Sequence, residues 1–137
     1  MAKEAFEEAR RCFLSGEYLA AIILCETVLE HTFAGYLHME GRNDAESLGF
    51  SPLLEMTYEK GFVSTDEYRA LRRLSGWRNA YVHYRGPAHQ EHIMQRVLRS
   101  AEELYVVMRK DAVEWLTIMH RILARMPFSV PDYGSCV

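Results

Sequence analysis

Apolar residues recur at intervals of three and four along most of the chain, and this spacing constrains the fold more than any other feature. No segment alternates apolar and polar residues as a half-buried strand does. The pattern is that of amphipathic helices and predicts an all-α protein. In the first such stretch, 2–14, the apolar stripe is Ala5, Phe6, Ala9, Cys12 and Phe13.

Glycine and proline divide the chain into helical pieces. The second piece has apolar residues on more than one face near its start, which predicts a central, deeply buried helix. A short third helix is expected to begin with Ser51 as N-cap and Pro52 in the first helical position. Ser64 and Glu67 have the spacing of a capping box at the start of the fourth helix. The first four predicted helices cover 2–14, 17–38, 51–60 and 64–84.

The segment 88–125 contains neither proline nor glycine. It predicts one very long helix, or two helices with a break near Asp111. Pro127, Pro131 and Gly134 then predict an irregular tail over 127–137. The predicted architecture is an antiparallel bundle of four main helices plus one short helix, forming a single domain over 1–126.

Composition excludes several classes of protein. With 137 residues, 49% of them hydrophobic and 26% charged, the chain is typical of one globular domain. No stretch approaches the roughly 20 uncharged apolar residues of a membrane helix, and the early acids do not fit a signal peptide. A cytoplasmic protein with no membrane partner is expected. Cys12 and Cys25 fit small core residues better than a disulfide or zinc site.

One window departs from the mildly acidic average. The net charge is −3, yet residues 68–90 contain five arginines and no acidic residue. Arginine is suited to planar, bidentate phosphate contacts, so this window is the predicted phosphate-binding surface. The residues predicted to bind RNA or its phosphates are Arg72, Arg73, Asn79, Tyr84 and Arg85. Trp77, Tyr81 and Tyr84 have rings that can stack on bases, but aromatic residues at this spacing more often pack in a core or a dimer interface.

Within this window, Arg78 and His83 have the chemistry for cleaving RNA without a metal. A histidine can accept the proton of a 2′-hydroxyl or protonate the leaving oxygen, and an arginine can stabilise charge on the phosphate. Asn79 lies four residues before His83, on the same helix face, and can orient it or hold a phosphate oxygen. One chain supplies only one histidine here, so a two-fold dimer that brings two together is expected.

The segment Arg78-Asn79-Ala80-Tyr81-Val82-His83 resembles the R-x4-6-H motif, often RNxxxH, of the HEPN superfamily. The helix order agrees over roughly residues 4–125. The resemblance implies a helical domain that dimerises through its motif-bearing helices. It also implies that Arg78 and His83 are the catalytic pair of an endoribonuclease, in many members a toxin or defence component. RNA, a second copy of the chain, and an antitoxin or other protein are the implied partners.

The chain departs from one pattern in this family. Toxins paired with a nucleotidyltransferase often read RNxxxHxY, but Arg85 occupies the tyrosine position and Tyr84 comes one residue early. Modification of that tyrosine is therefore not expected. The alternative function is a non-catalytic HEPN module that binds RNA, a nucleotide or a partner protein. No metal or cofactor is predicted, since His89 and His92 have no third ligand nearby in sequence.

Overall fold

All regular structure in the described part of the chain is helical. The computed structural model describes residues 2–82 and 103–125. The all-α prediction is confirmed for these residues. The elements are α1 (Ala2–Leu14), α2 (Tyr18–Met39), a 3₁₀ turn (Ala45–Ser47), α3 (Phe50–Glu59), α4 (Thr65–Val82) and α5 (Leu104–Arg125).

The corner between α1 and α2 is closed by a glycine in the left-handed region. Gly16 has φ +79°. Its N–H donates to the Phe13 carbonyl at 3.0 Å, and the Glu17 N–H donates to the Cys12 carbonyl at 2.8 Å. This pair of bonds is the Schellman arrangement that ends helices at glycine. The predicted end of the first helix at Ser15-Gly16 is confirmed.

Helix α2 is the centre of the fold, as its apolar pattern predicts. It contacts α1, α3, α4 and α5. Its buried side chains pack with those of the other helices into one core. Cys25 is fully buried in this core and Cys12 nearly so, as free thiols, as expected. The largest fully buried side chains are Trp115, Phe33, Ile22, Leu29, Leu37, Leu53, Leu54, Leu71, Leu74, Met119 and Ile122.

By length and composition alone, α2 is apolar enough to cross a membrane, although it contains Glu26 and Glu30. In the fold, 44% of its most apolar window is buried. A core helix of a globular domain gives the same signal, because both must be apolar. Among the described residues it is the one helix with this property.

The start of α3 differs from the prediction. Ser51 is not the N-cap, because the helix begins at Phe50 and Gly49 is the cap. Phe50 is buried against Phe33 and Trp115, with ring centroids 6.0 and 5.9 Å away. This packing extends the helix toward the N-terminus, so that Phe50 is its first residue. Pro52 is tolerated in the third position, since the first four N–H groups of a helix have no acceptor within it.

The start of α4 follows the prediction closely. The Glu67 carboxylate accepts from the Ser64 N–H at 3.0 Å, and the Glu67 N–H donates to the Ser64 hydroxyl at 3.2 Å. This reciprocal pair is a capping box, and the prediction is confirmed.

The last helix ends at Arg125, as predicted, but the predicted break near Asp111 is wrong. Helix α5 begins at Leu104, after a non-helical Glu103, and continues through Asp111 without a break. Asp111 is 3% exposed and accepts a hydrogen bond from the Tyr81 hydroxyl at 2.6 Å. An acid satisfied in this way does not interrupt a helix. The predicted tail over 127–137 lies outside the described residues.

Candidate functional site

The predicted arginine and asparagine lie in the last two described turns of α4, where Arg78 contacts α2 and Asn79 lines a pocket with α3 residues. The Arg78 side chain is 24% exposed, and its Nε is 3.4 Å from Oε1 of Glu26. Its Nη1 donates to the Asn79 Oδ1 at 3.0 Å. The guanidinium is therefore held from two sides while part of it still reaches solvent.

Glu26 is an acid within the core helix α2. Its side chain is 10% exposed, and its Oε2 accepts from the Ser75 hydroxyl at 3.5 Å. Burial raises the pKa of Glu26, while the positive charge of Arg78 acts in the opposite direction. A buried carboxylate is retained at low cost only when it is paired, so Glu26 and Arg78 stabilise each other's position.

Arg78 keeps unused hydrogen-bonding capacity. A guanidinium has five N–H donors. In the described part of the chain, Nη1 is bonded to Asn79, whereas Nε is buried and contacts Glu26 without forming a hydrogen bond. No described residue accepts from Nη2. The outer edge of the guanidinium can therefore contact a phosphate without breaking its contact with Asn79.

The two neighbouring arginines, Arg72 and Arg73, take different partners. The Arg72 guanidinium lies 5.7 Å from the ring centre of Tyr68, beside α3. Arg73 forms an ion pair with Glu114 of α5 and lies 5.2 Å from the Trp77 ring centre. Arg72 lines a pocket with Asn79, whereas Arg73 joins two helices. Of this pair, Arg72 is the one placed beside the site.

Two of the three aromatic residues considered for base stacking, Trp77 and Tyr81, are described by the structure, and both act in packing. Trp77 and Tyr81 are partly buried against the core. The Tyr81 hydroxyl also bonds to Asp111 of α5. These contacts favour packing over base stacking for both residues.

Several predicted site residues lie outside the described residues. They include the second member of the catalytic pair, His83, together with Tyr84 and Arg85. His89 and His92, considered as metal ligands, also lie there. Within 2–82 and 103–125, no group of three or more His, Cys, Asp or Glu side chains is arranged to hold a metal ion.

Two residues of this region were not predicted from the sequence. Glu26 and Asp111 are 52 and 30 residues from their partners, Arg78 and Tyr81, and such pairings are not visible in local spacing. A signal was nevertheless present. An acid in the middle of an apolar helical stripe is almost always paired when it is buried.

No protein-family model, curated protein or solved structure matches the chain. The residues and geometry of the site itself therefore indicate its function.

Proposed function

We propose that the protein is a metal-independent endoribonuclease of HEPN type, acting as a dimer with a composite active site. The observation that carries this proposal is the position of Arg78. Its guanidinium is held by Glu26 and Asn79 near the end of α4, with one edge open, and His83 follows five residues later. Preorganised donors of this kind stabilise charge that develops in a transition state.

The chemistry divides between the two motif residues. The 2′-hydroxyl of RNA attacks the adjacent phosphorus as His83 of one subunit takes its proton. The 5′-oxygen of the next nucleotide leaves with a proton from His83 of the other subunit. Arg78 stabilises the added negative charge on the phosphate oxygens. The products are a 2′,3′-cyclic phosphate and a free 5′-hydroxyl.

The dimer follows from this need for two histidines. We propose a homodimer that joins through the motif-bearing α4 helices, each domain having the antiparallel HEPN-like arrangement. A two-fold axis brings the same residues of both copies to one cleft. A toxin or defence role in the cytoplasm, with an antitoxin or another protein partner, belongs to the same proposal.

The Glu26 contact supports a second candidate function. In a single copy, Oε1 of Glu26 lies 3.4 Å from Nε of Arg78, and the negative charge of Glu26 partly neutralises the positive charge of Arg78. A guanidinium neutralised in this way can still position a phosphate, but it stabilises the negative charge of the transition state less. This favours the alternative of a non-catalytic module that binds RNA, a nucleotide or a protein.

Cleavage of single-stranded RNA in the presence of EDTA separates the two functions. The wild type should produce cyclic-phosphate ends. Arg78→Ala and His83→Ala should each lower the rate on the order of 100-fold or more. His38→Ala, at an exposed position of α2, is the matched control and should retain the wild-type rate.

Each outcome of this assay decides between the candidates. RNA binding without cleavage by the wild type would support the non-catalytic module and overturn the enzyme. Full activity in His83→Ala would show that residues other than His83 catalyse the cleavage. If the wild type neither binds nor cleaves RNA, both candidates that depend on RNA are wrong.

A further inference from the structure

A pocket lies between α3 and α4, directly beside the proposed site. Its volume is about 240 Å³. Pockets for drug-sized ligands measure roughly 300–1,000 Å³, so this one suits a smaller group. Its polar lining comes from Ser51, Glu55, Arg72, Ser75 and Asn79, with Gly76 leaving space on the α4 wall.

The charges of the lining indicate what kind of group fits. Arg72 and Glu55 are the charged residues that line the pocket, and their charges have opposite signs. A phosphate would be attracted by Arg72 but repelled by the carboxylate of Glu55. A neutral, planar, polar group avoids this conflict. In a protein that binds single-stranded RNA, the neutral, planar, polar group is a nucleobase.

The pocket side chains are positioned in advance. Tyr68 stacks on Tyr58 at a ring distance of 4.1 Å, and its hydroxyl donates to Glu55 Oε1. The pKa of Tyr68 is raised, chiefly by this hydrogen bond, so its hydroxyl remains a donor at neutral pH. Arg72 lies over the Tyr68 ring and can present its planar cation to a base. Groups held in place before binding lose less entropy on binding.

Asn79 connects the pocket to Arg78. Its Oδ1 accepts from Arg78, which leaves the Nδ2 amide as its donor for the pocket it lines. The pocket therefore offers a carboxylate acceptor from α3 and an amide donor from α4. Guanine is the base with two adjacent donors, N1–H and N2–H₂, next to an acceptor, O6. Adenine and cytosine present one amino group, and uracil presents one N–H between two acceptors.

We propose that this pocket binds a guanine base of single-stranded RNA. Glu55 accepts from N1–H and N2–H₂, Asn79 donates to O6, and Arg72 stacks on the ring. The inference rests on the proposed function, since it takes RNA as the ligand. It adds a base preference and places the recognised base next to the residue that holds Arg78.

Binding of nucleoside monophosphates tests this site without requiring catalysis. By titration calorimetry, the wild type should bind GMP about tenfold or more tightly than AMP, CMP or UMP, the discrimination typical of a bidentate base contact. IMP lacks the N2 amino group and should bind more weakly than GMP. Glu55→Gln should remove most of the GMP preference and most of the difference between GMP and IMP.

Glu59→Gln is the matched control. It makes the same charge change one turn along α3, at an exposed residue outside this pocket, and should bind GMP like the wild type. Equal affinity for the four nucleotides, no detectable GMP binding, or equal loss in both glutamine variants would overturn the guanine site. GMP binding in a protein that cleaves no RNA would instead retain the site and reject the nuclease.

Discussion

The ion pair between Arg125 and Glu67 allows a quantitative prediction about the stability of the motif-bearing helix. Arg125 ends α5 and donates to both carboxylate oxygens of Glu67, at 2.5 and 2.7 Å. It also donates to the Phe62 carbonyl at 3.2 Å. The Glu67 side chain is 3% exposed and at the same time caps α4 through Ser64. Removing Arg125 leaves a buried carboxylate with only its capping contacts.

The magnitude follows from these contacts. Hydrogen bonds to a charged partner contribute about 1.5–3 kcal/mol, and losing one partner of a fully buried pair costs more. The Arg125 side chain is 41% exposed, so solvent screening reduces its share. Arg125→Ala should therefore lower the free energy of unfolding by about 2 kcal/mol. For a chain of this length, that corresponds to a fall in Tm of roughly 6–8 °C.

The effect should depend on pH in a defined direction. Burial raises the pKa of Glu67, but the hydrogen bonds from Arg125 and Ser64 and the charge of Arg125 outweigh it, so the pKa is lowered. A group whose pKa is lowered on folding adds stability above its unfolded value, 4.5, and loses that stability as the pH falls through the folded value. The difference between wild type and Arg125→Ala should be full at pH 7 and shrink below about pH 4.

Urea unfolding followed by circular dichroism at pH 7 and pH 3.5 measures both effects. Arg121→Ala is the matched control, because it removes an exposed arginine one turn earlier in α5 and should change stability by less than about 0.5 kcal/mol. Arg125→Lys, which keeps the charge but not the planar fork, should be intermediate. Equal stability of the two alanine variants, or a difference that does not shrink in acid, would refute the reasoning.

Three further predictions concern other buried groups. The raised pKa of Glu26 means that its contribution to stability is present in acid and lost as the pH rises. In urea unfolding, the free energy of unfolding of Glu26→Gln, taken relative to that of the wild type, should therefore increase from pH 4 to pH 7. A decrease would contradict the burial argument. Tyr81→Phe should lower the free energy of unfolding by about 1–3 kcal/mol by removing a donor to the buried Asp111, and an unchanged midpoint would contradict this. Burial raises the pKa of Cys25 to about 12, so peptide mapping after alkylation at pH 8 should find it modified only in denaturant.

The helices were predictable where local chemistry decides their limits. Gly16 ends α1 by adopting positive φ, and the Ser64–Glu67 capping box begins α4. Both signals operate over a few residues and are visible in the sequence. The start of α3 was not predictable in this way, because Phe50 packs against Trp115, which is 65 residues away in the chain. The predicted break near Asp111 was also wrong, since Asp111 lies inside α5 and is stabilised by a partner on another helix.

The candidate site shows the same division. Arg78 and Asn79 could be selected as candidates from the sequence, because they are adjacent in the chain and lie in its arginine-rich window. The groups that hold them could not, since Glu26 pairs with Arg78 across two helices. The different directions of Arg72 and Arg73 were also not visible in the sequence. Arg72 contacts Tyr68 within α4, whereas Arg73 pairs with Glu114, which lies on another helix 41 residues away.

The attachment of α4 at both ends has a mechanical consequence. Its first turn is fixed to the end of α5 through Glu67, and its last described turns are fixed to α2 through Arg78 and to α5 through Tyr81. An 18-residue helix is about 27 Å long, so these anchors are separated by most of its length. We expect a helix anchored at these points to resist local bending. A second copy meeting it would encounter a surface of defined shape, and little of the energy of association would be used to order it.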